Sequence, residues 1–275
     1  MIQLPSTEHE TVSPLFQAFE DQLAVNAILE GTVPASIYVD QPRRPQAAFT
    51  WWRHRCFLAG SERNVEFNEA VCRLFLDTLC PHAPEAGLDL FEFRFAPESW
   101  DGRISGILKG HRTIKAWRRY YRLEALNHDL DPQLPQDFRL RWIDASLMED
   151  KHLKNLPILR DELCSERASV DDFLARSFGV CALHGDEIAG WCTSEYNSGE
   201  RCEVGIGTLE PYQRRGLATA MGSVLIRHAR SKGIAHIGWH CYARNVASGA
   251  TALKLGFEKV HEYPTYIVWP AKTDL

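Results

Sequence analysis

Apolar positions along this chain recur at changing intervals, and each change of interval marks an expected element. Over residues 14–29, Phe16, Phe19, Leu23, Ala24, Ala27 and Ile28 recur at helical spacing, which predicts an amphipathic helix. Residues 35–39 and 47–58 are apolar runs that read as one strand each. The helical interval returns over 66–79, with Val71, Leu74, Phe75 and Leu79 on one face, and residues 88–95 alternate as a further strand. The first half is therefore expected to be mixed α/β.

The clearest interruption is residues 127–136, NHDLDPQLPQ, a polar stretch with two prolines. It predicts two domains, 1–130 and 137–275. Beyond it, 138–143 alternates as a strand, and a polar helical region follows to about 178. Residues 179–183 and 188–195 flank the turn His184-Gly185-Asp186-Glu187, which predicts a β-hairpin. A strand over 201–209 leads through a loop containing Pro211 into a helix over 216–232. A strand over 234–242, a helix over 246–255 and paired strands over 257–268 complete the chain. From the hairpin onward the expected order is β-β-β-α-β-α-β-β, an α+β sheet with helices packed on it.

Composition narrows the class without choosing a function. A chain of 275 residues with 45% hydrophobic and 24% charged residues has ample apolar material for a core. The net charge of −5 argues against general nucleic-acid binding, which usually shows a basic excess. Eight cysteines occur without any C-x-x-C pair, which reads as reduced, buried thiols. No basic segment followed by an apolar stretch opens the chain, and no run approaches the roughly 18 apolar residues that span a bilayer. A cytoplasmic protein with no membrane partner is expected; the oligomeric state is not indicated. Arg112, Lys115, Arg118, Arg119 and Arg122 interleave with Trp117, Tyr120 and Tyr121. That pattern can bind phosphates, and it also marks a solvated or interdomain face, the reading favoured here.

The chemistry concentrates in residues 203–219, EVGIGTLEPYQRRGLAT. A strand runs into Gln213-Arg214-Arg215-Gly216-Leu217-Ala218, which opens a helix. A helix start leaves backbone N–H groups unpaired and carries partial positive charge. A glycine there lets an anion approach the backbone, so the turn suits a pyrophosphate. Taken alone, such a glycine is more often only a turn residue.

Order and spacing decide the matter. Gln-x-x-Gly-x-Ala is the phosphate-binding signature of the GNAT superfamily of N-acetyltransferases, and this segment resembles it closely. The preceding strand ends in Ile206-Gly207-Thr208, the next reaches Asn245, and the helix after it closes with Leu255-Gly256-Phe257. The resemblance covers about residues 137–270. It implies a C-terminal GNAT fold, a mixed and mostly antiparallel sheet flanked by helices. It also implies acetyl-CoA as co-substrate, no metal, and a primary-amine acceptor, expected to be a small polar molecule.

Carried onto this chain, backbone groups of Ile206, Gly207 and Thr208 would bind the pantetheine arm as an added strand and polarise the thioester carbonyl. Backbone groups around Gln213, Arg214, Arg215, Gly216, Leu217, Ala218 and Thr219 would hold the pyrophosphate. Asn245 and Ser248 would meet the cofactor from the next strand–helix junction, where Asn245 also reads as a helix N-cap. Glu203 and His240 stand where different family members carry a catalytic carboxylate, and either suits a base. Many members place a proton-donating tyrosine four residues before the Gly-Phe glycine; this chain has Ala252 there. Tyr263 and Tyr266 are the remaining candidates for that role.

A narrower resemblance is carried by Trp239-x-Cys241, Asn245, Ser248, Lys254-Leu255-Gly256-Phe257 and two following tyrosines. These resemble the zwittermicin-resistance type of GNAT acetyltransferase, whose N-terminal half is a degenerate GNAT-like domain. That implies antibiotic resistance as a role. Acetylation of a protein lysine or N-terminus, or a non-catalytic CoA-binding regulatory module, are the competing readings.

Overall fold

The computed structural model describes residues 1–124 and 134–270, so the polar interruption expected over 127–136 lies mostly outside the described residues. Contacts divide the chain into one unit of Met1–Arg118 with Tyr263–Leu275 and a second of Arg119–Glu262. These units differ from the expected 1–130 and 137–275 at two places: residues 119–124 group with the second unit, and the end of the chain groups with the first.

The first unit opens with β1 (Ile2–Gln3), a run of 3₁₀ turns over Ser6–Phe19, α1 (Leu23–Leu29), β2 (Ile37–Val39), β3 (Ala47–Trp52) and β4 (Arg55–Gly60). It continues with α2 (Val65–Leu74), a π-helical turn Phe75–Leu79, α3 (Cys80–His82), β5 (Phe91–Ala96) and α4 (Asp101–Ile107). Two expectations change here. The helix over 14–29 is broken: residues up to Phe19 form 3₁₀ turns and Gln22 leaves helical geometry at φ −107°, so α1 begins only at Leu23. The apolar positions are nevertheless buried as the spacing required. The single strand over 47–58 is a hairpin, with Trp52 opposite Arg55 and Arg53 at φ 52° in the turn. Both strands are buried on both faces, so no alternation betrayed the turn.

Strands β1 to β4 pair antiparallel in sequence order, and β5 joins β4 in parallel. The chain's last strand then pairs with β5 through Tyr266 opposite Phe93. Asn64 caps α2 by accepting from the Phe67 N–H at 3.0 Å. The core gathers Phe49, Leu58, Phe67, Phe75, Phe93 and Trp100, with Phe75 edge-on to Phe93 at 5.0 Å.

Strand β6 (Arg112–Leu123) carries the chain from the first unit into the second. There follow β7 (Phe138–Trp142), α5 (Ala145–Met148), α6 (Leu156–Glu166), α7 (Val170–Arg176), β8 (Gly179–His184) and β9 (Glu187–Ser198). Then come β10 (Arg201–Thr208), α8 (Leu217–Ser231), β11 (His236–Tyr242), α9 (Val246–Lys254) and β12 (Glu258–Trp269). The paired strands expected over 257–268 are this one strand. Pro264 sits inside it, because proline's fixed φ suits an extended chain and costs only a donor.

Within the second unit the strand order is β6-β11-β10-β9-β8-β7, with β10–β11 parallel and β7 to β10 antiparallel. Side chains alternate between two covered faces. Cys192, Val204, Ile237 and Trp239 pack against Leu217 and Met221 of α8 and Ala252 of α9. Cys181, Leu183 and Trp191 pack against Leu159 and Leu163 of α6 and Phe173 of α7. The result is an α+β fold, a mixed and mostly antiparallel sheet flanked by helices.

Candidate functional site

The parallel ladder between β10 and β11 runs from Arg201 opposite His236 to Val204 opposite Trp239 and goes no further. On its other side β10 stays paired with β9 as far as Thr208 opposite Gly190. From Gly205 to Thr208, therefore, the β11-facing edge of β10 has no ladder partner among the described residues. Unpaired backbone groups of this kind can take an added extended segment. Ile206, Gly207 and Thr208 lie on that stretch.

Gly205 and Gly207 are close-approach glycines rather than bulge residues. A Cβ at Gly207 would lie 2.6 Å from Trp191 Cζ2, and one at Gly205 2.5 Å from Glu195 Oε1. The ladder irregularity sits earlier, between Cys202 and Val204. Trp191 and Glu195 thus stand over the candidate stretch, and the sequence reading missed both. Their only signal was the alternation of β9.

The loop after β10 turns through two left-handed residues, Arg214 at φ 61° and Gly216 at φ 80°. Gly216 is the N-cap of α8, no side chain caps that helix, and its carbonyl accepts from the Ala220 N–H at 3.0 Å. The N–H groups of Leu217, Ala218 and Thr219 are consequently left for an external acceptor. Gln213 Nε2 donates to the Thr208 carbonyl at 3.0 Å and ties the loop to the end of β10. Arg215 lies over the rings of Phe138 and Tyr212, 5.9 Å from each, so its guanidinium is engaged in packing. Arg214 is exposed and makes no hydrogen bond or ion pair among the described residues.

Asn245 caps α9, its Oδ1 accepting from the Ser248 N–H at 3.1 Å. Ser248 Oγ in turn accepts from Trp239 Nε1 at 3.0 Å, which pins the start of α9 to β11.

Glu203 and His240 come together. Glu203 faces Gly238 across the β10–β11 ladder, and His240 is the next residue on that face. Both side chains are buried, with His240 Nε2 3.7 Å from Glu203 Oε1. Tyr120 of β6 stacks on the imidazole at 4.6 Å between centroids, and the His261 ring lies 5.4 Å from that of Tyr120. Tyr120 was legible only as one aromatic in a basic cluster.

The two candidate tyrosines lie in the first unit. Tyr266 donates its hydroxyl to Asp101 at 2.9 Å, and Lys115 donates to the same carboxylate. Burial and that carboxylate hold the Tyr266 hydroxyl above its ordinary pKa, while Lys115 holds Asp101 below its own. The Tyr263 ring lies 6.0 Å from the Arg94 guanidinium. Ala252 is fully buried in the core under α9.

All eight cysteines are free thiols. Burial pushes Cys181 and Cys202 up to about 12, which makes them inert as nucleophiles. Among the described residues no group of three or more His, Cys, Asp or Glu is placed to hold a metal. None of the described helices is long and apolar enough to cross a membrane.

A parallel strand pair that parts just before an uncapped, glycine-headed helix, in a sheet of this order, defines a GNAT-type unit. The family model for GNAT acetyltransferase matches residues 13–266, and the chain belongs to that family. It is 28% identical over 261 residues to the uncharacterized N-acetyltransferase YdfB of Bacillus subtilis (strain 168), covering 92% of this chain and 94% of that one. A GCN5-related N-acetyltransferase-like protein from Streptococcus suis 89/1591 shares the fold, with TM-score 0.71, 24% identity, and 96% and 100% of the two chains covered. A tandem GNAT protein from the clavulanic acid biosynthesis pathway, solved without AcCoA, shares it at TM-score 0.59 and 12% identity over 99% of each chain.

Proposed function

We propose that this protein moves an acetyl group from acetyl-CoA to a primary amine on a small polar molecule, an antibiotic or a metabolite of that kind. The observation that carries the reading is the parting of β10 from β11 after Val204, immediately ahead of Ile206–Gly207–Thr208 and the uncapped start of α8. The residues fit acetyl-CoA on chemical grounds. Thr208 Oγ1 is buried with no hydrogen-bond partner among the described residues, so this stretch holds a polar atom awaiting a ligand. Arg214 offers a cation beside the free N–H groups of α8, where an anion is favoured.

When bound, acetyl-CoA supplies an activated thioester. The chain's own groups do the rest. Backbone of Ile206, Gly207 and Thr208 orients the pantetheine arm and donates toward the thioester oxygen. Leu217, Ala218 and Thr219 hold the pyrophosphate through their N–H groups. The first proton leaving the acceptor ammonium passes to the Glu203–His240 pair; the amine then forms its C–N bond to the acetyl carbon as the C–S bond breaks, and the second proton, lost from the acylated nitrogen, goes to the departing thiolate.

In this reading the first unit is a degenerate GNAT-like half and the second the catalytic one, close to the expected 1–130 and 137–275 except that 119–124 go with the second unit and the end of the chain with the first. The mixed sheet of the first unit supports that assignment, as does whole-chain likeness to a protein described as a tandem GNAT. The cytoplasm is the expected compartment, in keeping with eight free thiols. One observation favours a second reading, a CoA-binding regulatory module: the position of the usual proton-donating tyrosine is the buried Ala252.

The test is CoA release from acetyl-CoA, corrected for hydrolysis, against a panel of primary amines, aminopolyol antibiotics and lysine peptides. Release with a small amine and not with peptides supports the proposal. Release with peptides alone moves the activity to proteins. Binding without release across the panel favours the module.

A further inference from the structure

The pairing of Glu203 with His240 depends on the orientation of an imidazole, and the fold supplies something to fix it. Tyr120 on β6 is buried and lies nearly parallel to His240, with centroids 4.6 Å apart and planes 25° apart. Tyr120 also meets His261 of β12, at 5.4 Å between ring centroids. Beneath it lies Gly238, where a Cβ would sit 3.1 Å from Tyr120 Cε2, 3.5 Å from its hydroxyl and 3.6 Å from Glu203 Cγ. Gly238 therefore leaves the space in which the phenol leans across β11 toward Glu203 and His240. A glycine inside a strand costs order unless something fills the gap, and here a ring does.

We propose that Tyr120 is a positioning residue: its ring, stacked on His240, keeps Nε2 directed at Glu203 so that carboxylate and imidazole accept a proton as one pair. This rests on the acetyl-transfer reading of the site. An isolated histidine on a strand has several staggered side-chain rotamers open to it, with a broad ring torsion. An aromatic face at stacking distance removes most of them. A base held in one geometry avoids reorganising at each turnover, which is where a positioning residue acts. Among the groups against the imidazole from neighbouring strands are Glu203 of β10 and Tyr120 of β6, and His261 of β12 lies against Tyr120.

The experiment uses the full chain, with nitrogen-15 imidazole spectra assigned by a His240→Gln difference, alongside steady-state kinetics. The variants are Tyr120→Phe, Tyr120→Leu and Gly238→Ala, each checked for folding by its thermal transition. Wild type and Tyr120→Phe should show His240 in one tautomer, with comparable kcat. Tyr120→Leu should average the two ring-nitrogen signals and lower kcat on the order of 10- to 100-fold. KM for acetyl-CoA should stay within about twofold, as expected for a loss confined to the chemical step. Gly238→Ala leaves Tyr120 in the chain but crowds its ring, and should move both readouts the same way. If Tyr120→Leu does not fold, this variant and Tyr120→Phe carry the test.

Equal losses in Tyr120→Phe and Tyr120→Leu would overturn the inference by making the hydroxyl the acting group. An unchanged tautomer and kcat in Tyr120→Leu, or in Gly238→Ala, would overturn it by making the ring dispensable. A wild type that holds His240 in one tautomer but acetylates nothing would count against acetyl transfer and leave the positioning intact. An active wild type with a mobile His240 would do the reverse.

Discussion

Adding one methyl group at Gly207 strikes the candidate site from behind. The Cβ of Gly207→Ala would lie 2.6, 2.7 and 2.9 Å from three atoms of the Trp191 indole. Ordinary carbon contacts are about 3.5–4.0 Å, so something must move by roughly 1 Å. The indole cannot retreat easily, because Trp191 is 6% exposed and packed into the cluster with Leu159, Leu183 and Ile188. The remaining movement is of β10 itself, toward the gap on its β11 side where the pantetheine arm is proposed to lie. Overpacking of this kind costs about 1–3 kcal/mol. At about 2–4 °C per kcal/mol for a chain of this size, Tm should fall by about 2–12 °C. Acetyl-CoA affinity should fall further than the stability loss explains, at least about tenfold, since the arm is held by backbone geometry. Differential scanning calorimetry and titration calorimetry measure the two effects. In a Trp191→Leu background the added cost of Gly207→Ala should shrink, as coupled neighbours require. An unchanged Tm together with unchanged affinity would refute the packing argument, and additive effects in the double variant would refute the named contact.

Three further perturbations probe separate parts of the molecule. Glu203→Gln keeps the shape of the buried side chain and removes its carboxylate; kcat should fall on the order of 10²–10⁴-fold with KM for acetyl-CoA little changed, whereas a rise in KM alone would give Glu203 a binding role. Asn245→Ala removes the cap that accepts from Ser248 N, and should cost about 0.5–2 kcal/mol in urea unfolding; no loss would mean that water caps α9 equally well. In the first unit, burial holds the half-buried His54 imidazole down at about 4, against 6.5 for a free one. The unfolded chain then binds the proton first as pH falls from 6.5 towards 4, so stability is full above 6.5 and declines through that window. Between pH 7 and 5 the loss should be about 2 kcal/mol at 1.36 kcal/mol per unit, and His54→Gln should abolish it. A pH-independent urea midpoint in wild type would contradict the burial argument.

Much of the second unit was legible because local chemistry and period agreed there. The hairpin at His184–Glu187, the strand 201–209 and the helix after Gly216 each had a turn residue where the period changed. Elsewhere the period was silent. The β3–β4 turn has no glycine or asparagine, and the two strands are buried on both faces along most of their length, so one apolar run concealed two strands. The run 14–29 carried its burial pattern and the helix over Leu23–Leu29 correctly, but its first part forms 3₁₀ turns, which the same spacing also serves. The paired strands expected over 257–268 are one strand that runs through Pro264. At the candidate site the backbone elements could be read from motifs and their order. What covers them could not: Trp191, Glu195 and Tyr120 arrive from other strands, and only pairing register brings them over Gly207, Gly205 and His240.

The most direct measurement is titration calorimetry of acetyl-CoA into the wild-type chain and into Gly216→Val. Gly216 sits at φ 80°, a conformation that a β-branched residue resists, and it heads the helix proposed to hold the pyrophosphate. Wild type should bind one acetyl-CoA per chain and gain thermal stability with ligand concentration. Gly216→Val should remain folded and bind at least about tenfold more weakly, as loss of an N-terminal anion site requires. Absence of binding by the wild type at millimolar acetyl-CoA, or equal binding by both chains, would contradict the assignment of this strand–helix junction as the acetyl-CoA site.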